Sequence, residues 1–295
     1  MKLVRREEYI LKLLDPLYRA LKLLQQFKRI DSWMAVNVFL ASMDVYRRQL
    51  LREPRYEDPL RLNRYEKQVF SQNGEDGILS EIFSRIGPGN RSFLEIGVGN
   101  GLENNTAFLL LQGWTGTWID GDEKSVDFIQ RHFRKPIRER RLQVVSSQVT
   151  AENIGSLLER ANVPDDVALL SLDIDRNTYW VLQAVLEKLQ PAALVVEYNA
   201  LIPPSIEWSV EYDPRRKWNG SSYTSASLKA YELLCRKHSY ALVGCELCGI
   251  NAFFVRTDLC LDRFAQPYTA ENHYEPLRDF LVHRVGPERS FSDME

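Results

Sequence analysis

Two groups of residues in this 295-residue chain have types and spacing that suit chemistry. The first is Glu95-Ile-Gly97-Val-Gly99-Asn-Gly101, with Asp120 following 25 positions after Glu95. Glycines at a strand end allow a tight turn and close approach of a ligand to the backbone. A dinucleotide fingerprint, G-x-G-x-x-G counted from Gly97, fails at Leu102, so no pyrophosphate cradle is expected. A carboxylate at the tip of the next strand can accept hydrogen bonds from both hydroxyls of a ribose. Asp120 fits that place, with Asp122 the weaker candidate. Both also fit a turn or a helix cap. The second group is Asp173, Asp175, Glu197 and Asn199. Period-two alternation puts Asp173 and Asp175, with Ser171, on one side of a strand, and Glu197 and Asn199 on one side of the next. One of these carboxylates can act as general base toward an alcohol. The group Asp173, Glu197 and Asn199 can instead hold Mg²⁺, which prefers hard oxygen ligands. The bland alternative is that the acids cap the following helix or pair with Arg176.

Strands and helices that alternate must position these residues. Strands are expected at 91–97, 115–120, 142–146, 167–174 and 193–198, with helices at 104–112, 125–133, 152–161 and 179–189. A helix at 225–238 and two strands at 240–245 and 251–256 follow. Repeated βα units imply a parallel sheet with helices on both faces. The last two strands, joined by about five residues, must be antiparallel. The fold class is therefore α/β, a doubly wound, mostly parallel sheet with an antiparallel terminal hairpin. That is the architecture of class I methyltransferases, which is Rossmann-like. A loop at 201–223 carries Pro203, Pro204, Trp208, Tyr212, Trp218 and Tyr223 among polar residues. Long loops over strand ends commonly bind substrate, and aromatic faces suit sugar rings. A packed irregular loop explains the same residues.

The composition narrows the classes. Hydrophobic residues are 44% and charged residues 26%, ordinary for a soluble globular chain and too apolar for disorder. No uncharged apolar run approaches the roughly 20 residues of a membrane span. The formal net charge of -2 argues against nucleic acid as a partner. The N-terminus carries charges in place of a signal peptide, so a cytoplasmic location is expected. Residues 1–60 read as a helical extension, 61–265 as the main domain and 266–295 as a C-terminal tail. The N-terminal helices could support a homo-oligomer. Cys245 and Cys248 form a CxxC without a second pair, so buried thiols are the expected reading and zinc the alternative.

The order and spacing of several pieces resemble one family. These are Phe70-Ser-Gln-Asn-Gly-Glu-Asp-Gly77, Phe93-Leu-Glu-Ile-Gly-Val-Gly99, Asn105-Thr106 and Gly113-Trp-Thr-Gly-Thr-Trp-Ile-Asp120. Over residues 68–256 the chain is similar to FkbM-type methyltransferases that depend on S-adenosylmethionine. The resemblance implies methyl transfer to a hydroxyl of a sugar or natural product, so the partner is a small-molecule or glycan acceptor. It implies that Glu95 holds the amino group of S-adenosylmethionine, directly or through water. Its cofactor-binding set is Gln72, Glu95, Gly97, Gly99, Gly101, Asn105, Asp120, Gly121, Gln148 and Asp173. Ser71 and Glu75 would border the pocket, or cap a helix. The catalytic set is Asp173, Asp175 and Glu197. One departure is Asp173-Ile-Asp175-Arg where the family more often has Asp-x-Glu-Gly. N-methylation of a small molecule or protein, and a non-catalytic scaffold that binds the cofactor, are the alternatives.

Overall fold

The structure is a computed structural model that describes residues 44–278 together with Met34, Val38, Ala41, Leu281 and Phe291. The chain divides after Leu50 into two units. In the first unit residues 44–50 are helical, as are Met34, Val38 and Ala41. The other residues of the expected helical extension before position 44 lie outside the described residues. So do 279, 280, 282–290 and 292–295 of the expected tail. Residues 51–60 form turns and a 3₁₀ segment, Pro54–Tyr56, in place of helix. Among the described residues no helix is long and apolar enough to cross a membrane.

The second unit is built on a seven-stranded sheet of order β3-β2-β1-β4-β5-β7-β6. The strands are β1 (Ser92–Ile96), β2 (Thr115–Asp120), β3 (Leu142–Ser146), β4 (Leu169–Leu172), β5 (Ala193–Glu197), β6 (Tyr240–Cys245) and β7 (Asn251–Arg256). The first five run parallel. Strand β7 pairs antiparallel with β5 and with β6. This is the class I methyltransferase arrangement expected from the sequence. The order reverses direction between β1 and β4, and open α/β sheets bind ligands at such a switch point.

The central strand β4 is buried along its whole length. A parallel strand covered on both faces reads as a near-continuous apolar run, and Leu169-Leu-Ser-Leu172 does so except at Ser171, whose hydroxyl is hydrogen-bonded to Glu95. On β1 the side chains sort by alternation. Leu94 and Ile96 join a core with α5 (Ile154–Ala161), α6 (Thr178–Leu186) and α7 (Leu228–Lys237). Phe93 joins the core on the other face, with α1 (Glu75–Ile86), α2 (Ala107–Leu111) and α3 (Glu123–His132). A buried leucine or phenylalanine contributes roughly 1.5–3 kcal/mol, so these two layers fix the strand ends that carry the site.

Several expectations need correction. Helix α1 was not among the expected elements, although the capping alternative for Ser71 and Glu75 implied a helix start there, and Glu75 and Asp76 do lie in its first turn. The helix expected from Asn104 begins at Ala107, because Asn104 to Thr106 are drawn into bonds with Glu95. The fourth strand ends at Leu172, and Asp175 opens a 3₁₀ turn (Asp175–Asn177). Short helices α4 (Arg134–Arg138), α8 (Thr257–Cys260) and α9 (Ala270–His273) were not expected at all. Residues 265–278 lie against the sheet. There Glu275 is fully buried and accepts from Tyr56 Oη at 2.8 and 3.0 Å, with Arg55 at 3.1 Å and Arg278 at 2.9 Å. The four cysteines are buried and free of disulfides.

Candidate functional site

The glycine turn packs against the tip of β4. Gly97 has φ +84°, and a Cβ there would lie 1.6 Å from the Asp173 carbonyl oxygen. Only glycine fits such a backbone and such a contact. Gly97 N donates to Ile119 O at 2.9 Å, and Asp173 N donates to Ile96 O at 3.0 Å. The tips of β1, β2 and β4 are thereby locked around one cleft. The cleft holds two cavities of about 690 and 320 Å³ that meet at Gly97, Gly99 and Asp173. A cavity of about 780 Å³ lies at the opposite ends of β1, β2 and β3 and contains none of these residues.

In the first cavity Asp120 ends β2. Its Oδ2 accepts from Gly99 N at 2.8 Å and its Oδ1 from Asp122 N at 2.7 Å. Each carboxylate oxygen keeps a lone pair for a hydroxyl donor. Asp122 caps α3 through Ser125 N at 3.1 Å and also lines this cavity. Gln148 donates from Nε2 to Gly121 O at 2.9 Å. A Cβ on Gly121 would meet that Nε2 at 2.3 Å, so Gly121 makes room for Gln148.

The second cavity is lined by Gln72, Glu75, Glu95, Glu103, Asn104, Asn105, Asp173 and Asn251 and by no lysine or arginine. Glu95, expected to hold a ligand's amino group, is filled by the protein's own donors. Oε1 accepts from Asn105 N at 2.8 Å and Ser171 Oγ at 3.1 Å. Oε2 accepts from Asn104 Nδ2 at 2.7 Å, Thr106 N at 3.1 Å and Thr106 Oγ1 at 2.5 Å. Burial lifts its pKa to about 7, because desolvation outweighs these bonds. Glu95 therefore braces the turn that carries Asn104 and Asn105. Asn104 Oδ1 is buried without a donor, and it lines the cavity. Gly101 turns nearby against Trp118. Glu75 takes bonds from Asn73 N, Gly74 N and Asn251 Nδ2, each at 2.8 Å. Burial opposes its ionisation, yet the hydrogen bonds, led by that from Glu246, bring its pKa below the usual range. Glu246 is pushed well up by burial and then by the Glu75 charge.

Beyond the shared wall lies the acid cluster. Carboxylate oxygens of Asp173, Asp175 and Glu197 all fall within 4.8 Å of one another. The expected trio is thus assembled, but by a turn rather than by strand alternation. Asp175 follows the strand end in a left-handed conformation, φ +59°, and folds back toward Asp173. Asn199 does not join them. Its Nδ2 donates to Ser222 O at 2.8 Å and Thr224 O at 3.1 Å, and its Oδ1 accepts from Leu201 N at 3.2 Å. The chain turns after Glu197, so the alternation that put Asn199 beside it ends there. Crowding by protein raises the Asp173 pKa, and the Asp175 charge adds to this. Burial raises Glu197 well above the carboxylate range, with Asp173 next in effect. Two close carboxyls in a poorly solvated place share one proton. Both groups are raised, so that proton belongs to the Asp173–Glu197 pair. Glu197 Oε2 is buried and has no partner. Three hard oxygen donors at this spacing, one of them unpartnered, also fit Mg²⁺.

The aromatic loop stands over this cluster, pinned at its stem. Trp180 Nε1 donates to Val210 O at 2.8 Å, Arg176 Nη2 to Glu211 O at 3.0 Å and Asn177 Nδ2 to Asp213 O at 3.0 Å. Trp218 and Tyr223 are about half exposed, and 214–218 line the first cavity together with Asp173 and Asp175. Sequence reasoning missed Asn104, Asn251 and Glu246. Their roles arise from buried bonds across 5 to 176 positions, which no local pattern announces.

No protein-family model matches the sequence, and no curated protein matches it. Solved structures do resemble the fold. An O-methyltransferase from Bacillus cereus in complex with SAH is 15% identical, with a TM-score of 0.40, over 74% of this chain and 89% of that one. The N-terminal domain of EvdMO1 with SAH bound is 12% identical, with a TM-score of 0.39, over 71% and 94%. SAM-bound CalS10, an amino pentose methyltransferase from Micromonospora echinaspora, is 11% identical, with a TM-score of 0.39, over 62% and 90%. Likeness at this level carries no function from one protein to another.

Proposed function

We propose that the protein is an S-adenosylmethionine-dependent methyltransferase that acts on a hydroxyl of a sugar or natural product. The observation that carries this is the pair of cavities joined at Gly97, Gly99 and Asp173. The first offers the Asp120 carboxylate to a ribose and Gln148 to a base. The second is ringed by carboxylates and amides with no cation, which suits a ligand tail bearing an ammonium group. Asn104 Oδ1, buried without a donor, is the acceptor proposed for that ammonium, while Glu95 holds Asn104 in place. The junction of the cavities at Asp173 is where a sulfonium methyl would meet an acceptor. The FkbM-type motifs are consistent with this reading.

When bound, S-adenosylmethionine supplies a methyl group already activated on a positive sulfur. The protein must then position the acceptor, exclude water and remove a hydroxyl proton. Asp173, steadied by the proton it shares with Glu197, is the general base in this proposal. Asp175 keeps that proton on the pair by its charge. Should Mg²⁺ bind, Asp173, Asp175 and Glu197 would hold it, and it would lower the pKa of a bound hydroxyl. The unpartnered Glu197 oxygen favours a working site over a scaffold with its acids fully paired. The base at the cavity junction favours oxygen over nitrogen, since an amine needs none. The test is methyl transfer from labelled S-adenosylmethionine to a panel of glycosides, phenols and amines. Transfer to hydroxyls, cut at least a hundredfold in Asp173→Asn, supports the proposal. Transfer to amines alone, insensitive to Asp173, would replace it.

A further inference from the structure

We infer that the acceptor carries an anionic group, a carboxylate or a phosphate, bound by the basic residues that line the first cavity. This rests on the methyltransferase reading, with the nucleoside at Asp120 and Gln148 and the acceptor in the rest of that cavity. The same cavity is lined by four carboxylates, Asp120, Asp122, Asp173 and Asp175, and by four cations, Arg176, Arg215, Arg216 and Lys217. Pro214 and Trp218 line it beside the cations.

Arg176 is the built part of the site. Its side chain is held on two sides, with Nη2 donating to Glu211 O at 3.0 Å and its guanidinium 5.0 Å from the Tyr223 ring centre. Only 7% of the residue is exposed, and its Nε is buried without any hydrogen-bond partner. No carboxylate among the described residues lies within ion-pair distance of it. Burying an unpaired donor of a charged group is costly, and an anion bound in the cavity would offset that cost. A guanidinium presents donors that match a carboxylate or phosphate.

The loop tip adds charge without spending it. Arg215 and Arg216 face one carboxylate, Asp213, at 3.8 and 3.6 Å, with side chains 93% and 70% exposed. Such loose surface pairs contribute little. Lys217 is exposed beside them. Trp218 is fixed by its Nε1 bond to Ser221 O at 2.6 Å and offers an apolar face next to the cations. An anion here and a hydroxyl near Asp173 would orient the acceptor along the cavity.

The test is calorimetric titration of the full chain, free and loaded with S-adenosylhomocysteine, with inorganic phosphate and with acetate at constant ionic strength. Saturable binding of either probe is expected, weakened at least tenfold in Arg176→Met and in the triple variant R215Q/R216Q/K217Q. Preference for phosphate or acetate selects a phosphorylated or a carboxylated acceptor. The triple variant replaces exposed side chains only and carries the test should Arg176→Met fail to fold. No saturable binding of either probe, or binding unchanged in the variants, would overturn the inference. S-adenosylhomocysteine affinity is read separately: its absence sinks the methyltransferase reading, whereas anion binding to the free chain reads the basic residues by themselves.

Discussion

Replacing Glu197 by glutamine is expected to stabilise the protein at alkaline pH and to leave it unchanged at mildly acid pH. The folded pKa values of Asp173 and Glu197 both lie above their ordinary values. The folded chain therefore holds protons that the unfolded chain has released. Stability is fully present below the ordinary carboxylate range and is lost as pH rises through the folded values. The size follows from the geometry. Two unit charges at the cluster's outer limit of 4.8 Å and an effective dielectric of about 20 repel by about 3.5 kcal/mol. Asp173 and Asp175 open to the cleft, and water there screens the figure to about 1–2 kcal/mol. Glutamine donates to Asp173 as protonated Glu197 does, but cannot ionise. Melting followed by circular dichroism from pH 5 to pH 9 should show the two proteins together at pH 5. At pH 9 the variant should melt about 2–8 °C higher, given roughly 2–4 °C per kcal/mol for a domain of this size. Millimolar Mg²⁺ should raise the wild-type melting point at pH 9 more than that of the variant. Parallel pH profiles, or a variant less stable at pH 9, would refute the shared-proton account.

Gly97→Ala should cost about 3–5 kcal/mol in urea unfolding. It adds left-handed strain and breaks the bonds of Gly97 N and Asp173 N as the backbone retreats from the Asp173 carbonyl; a change under about 1 kcal/mol would count against the locked turn. Gly121→Ala meets only the flexible end of Gln148. It should leave stability within about 1 kcal/mol and weaken nucleoside binding about tenfold, read by calorimetry; unchanged affinity would remove Gln148 from the site. Tyr56→Phe deprives buried Glu275 of one donor and should cost about 1–3 kcal/mol without changing cofactor affinity, since it lies outside both cavities.

The strand ends were legible because their causes are local. The apolar runs at 142–146, 240–245 and 251–256 became β3, β6 and β7 with the same bounds. Asp120 and the glycine turn were legible for the same reason: a strand end, a turn and an acid follow one another in the chain. The acid trio was found by a rule that does not operate there. Strand alternation stops at Leu172, and the left-handed Asp175 does the assembling. Glu95 was read as a ligand group because its five donors cannot be seen from its neighbours; one, Ser171, is 76 positions away. Arg176 read as a partner for the acids, yet it turns to Glu211 and Tyr223, contacts set by how the loop folds back. Side chains whose partners are distant in sequence are decided by packing, and there the pattern is silent.

The central claim is that the twin cavities hold S-adenosylmethionine through Asp120. Calorimetric titration of the purified chain with S-adenosylmethionine and with NAD, for wild type and Asp120→Ala, tests it most directly. The account predicts micromolar binding of S-adenosylmethionine, weakened at least tenfold in the variant, and no binding of NAD. No heat of binding with S-adenosylmethionine, or equal affinity in the variant, would contradict it.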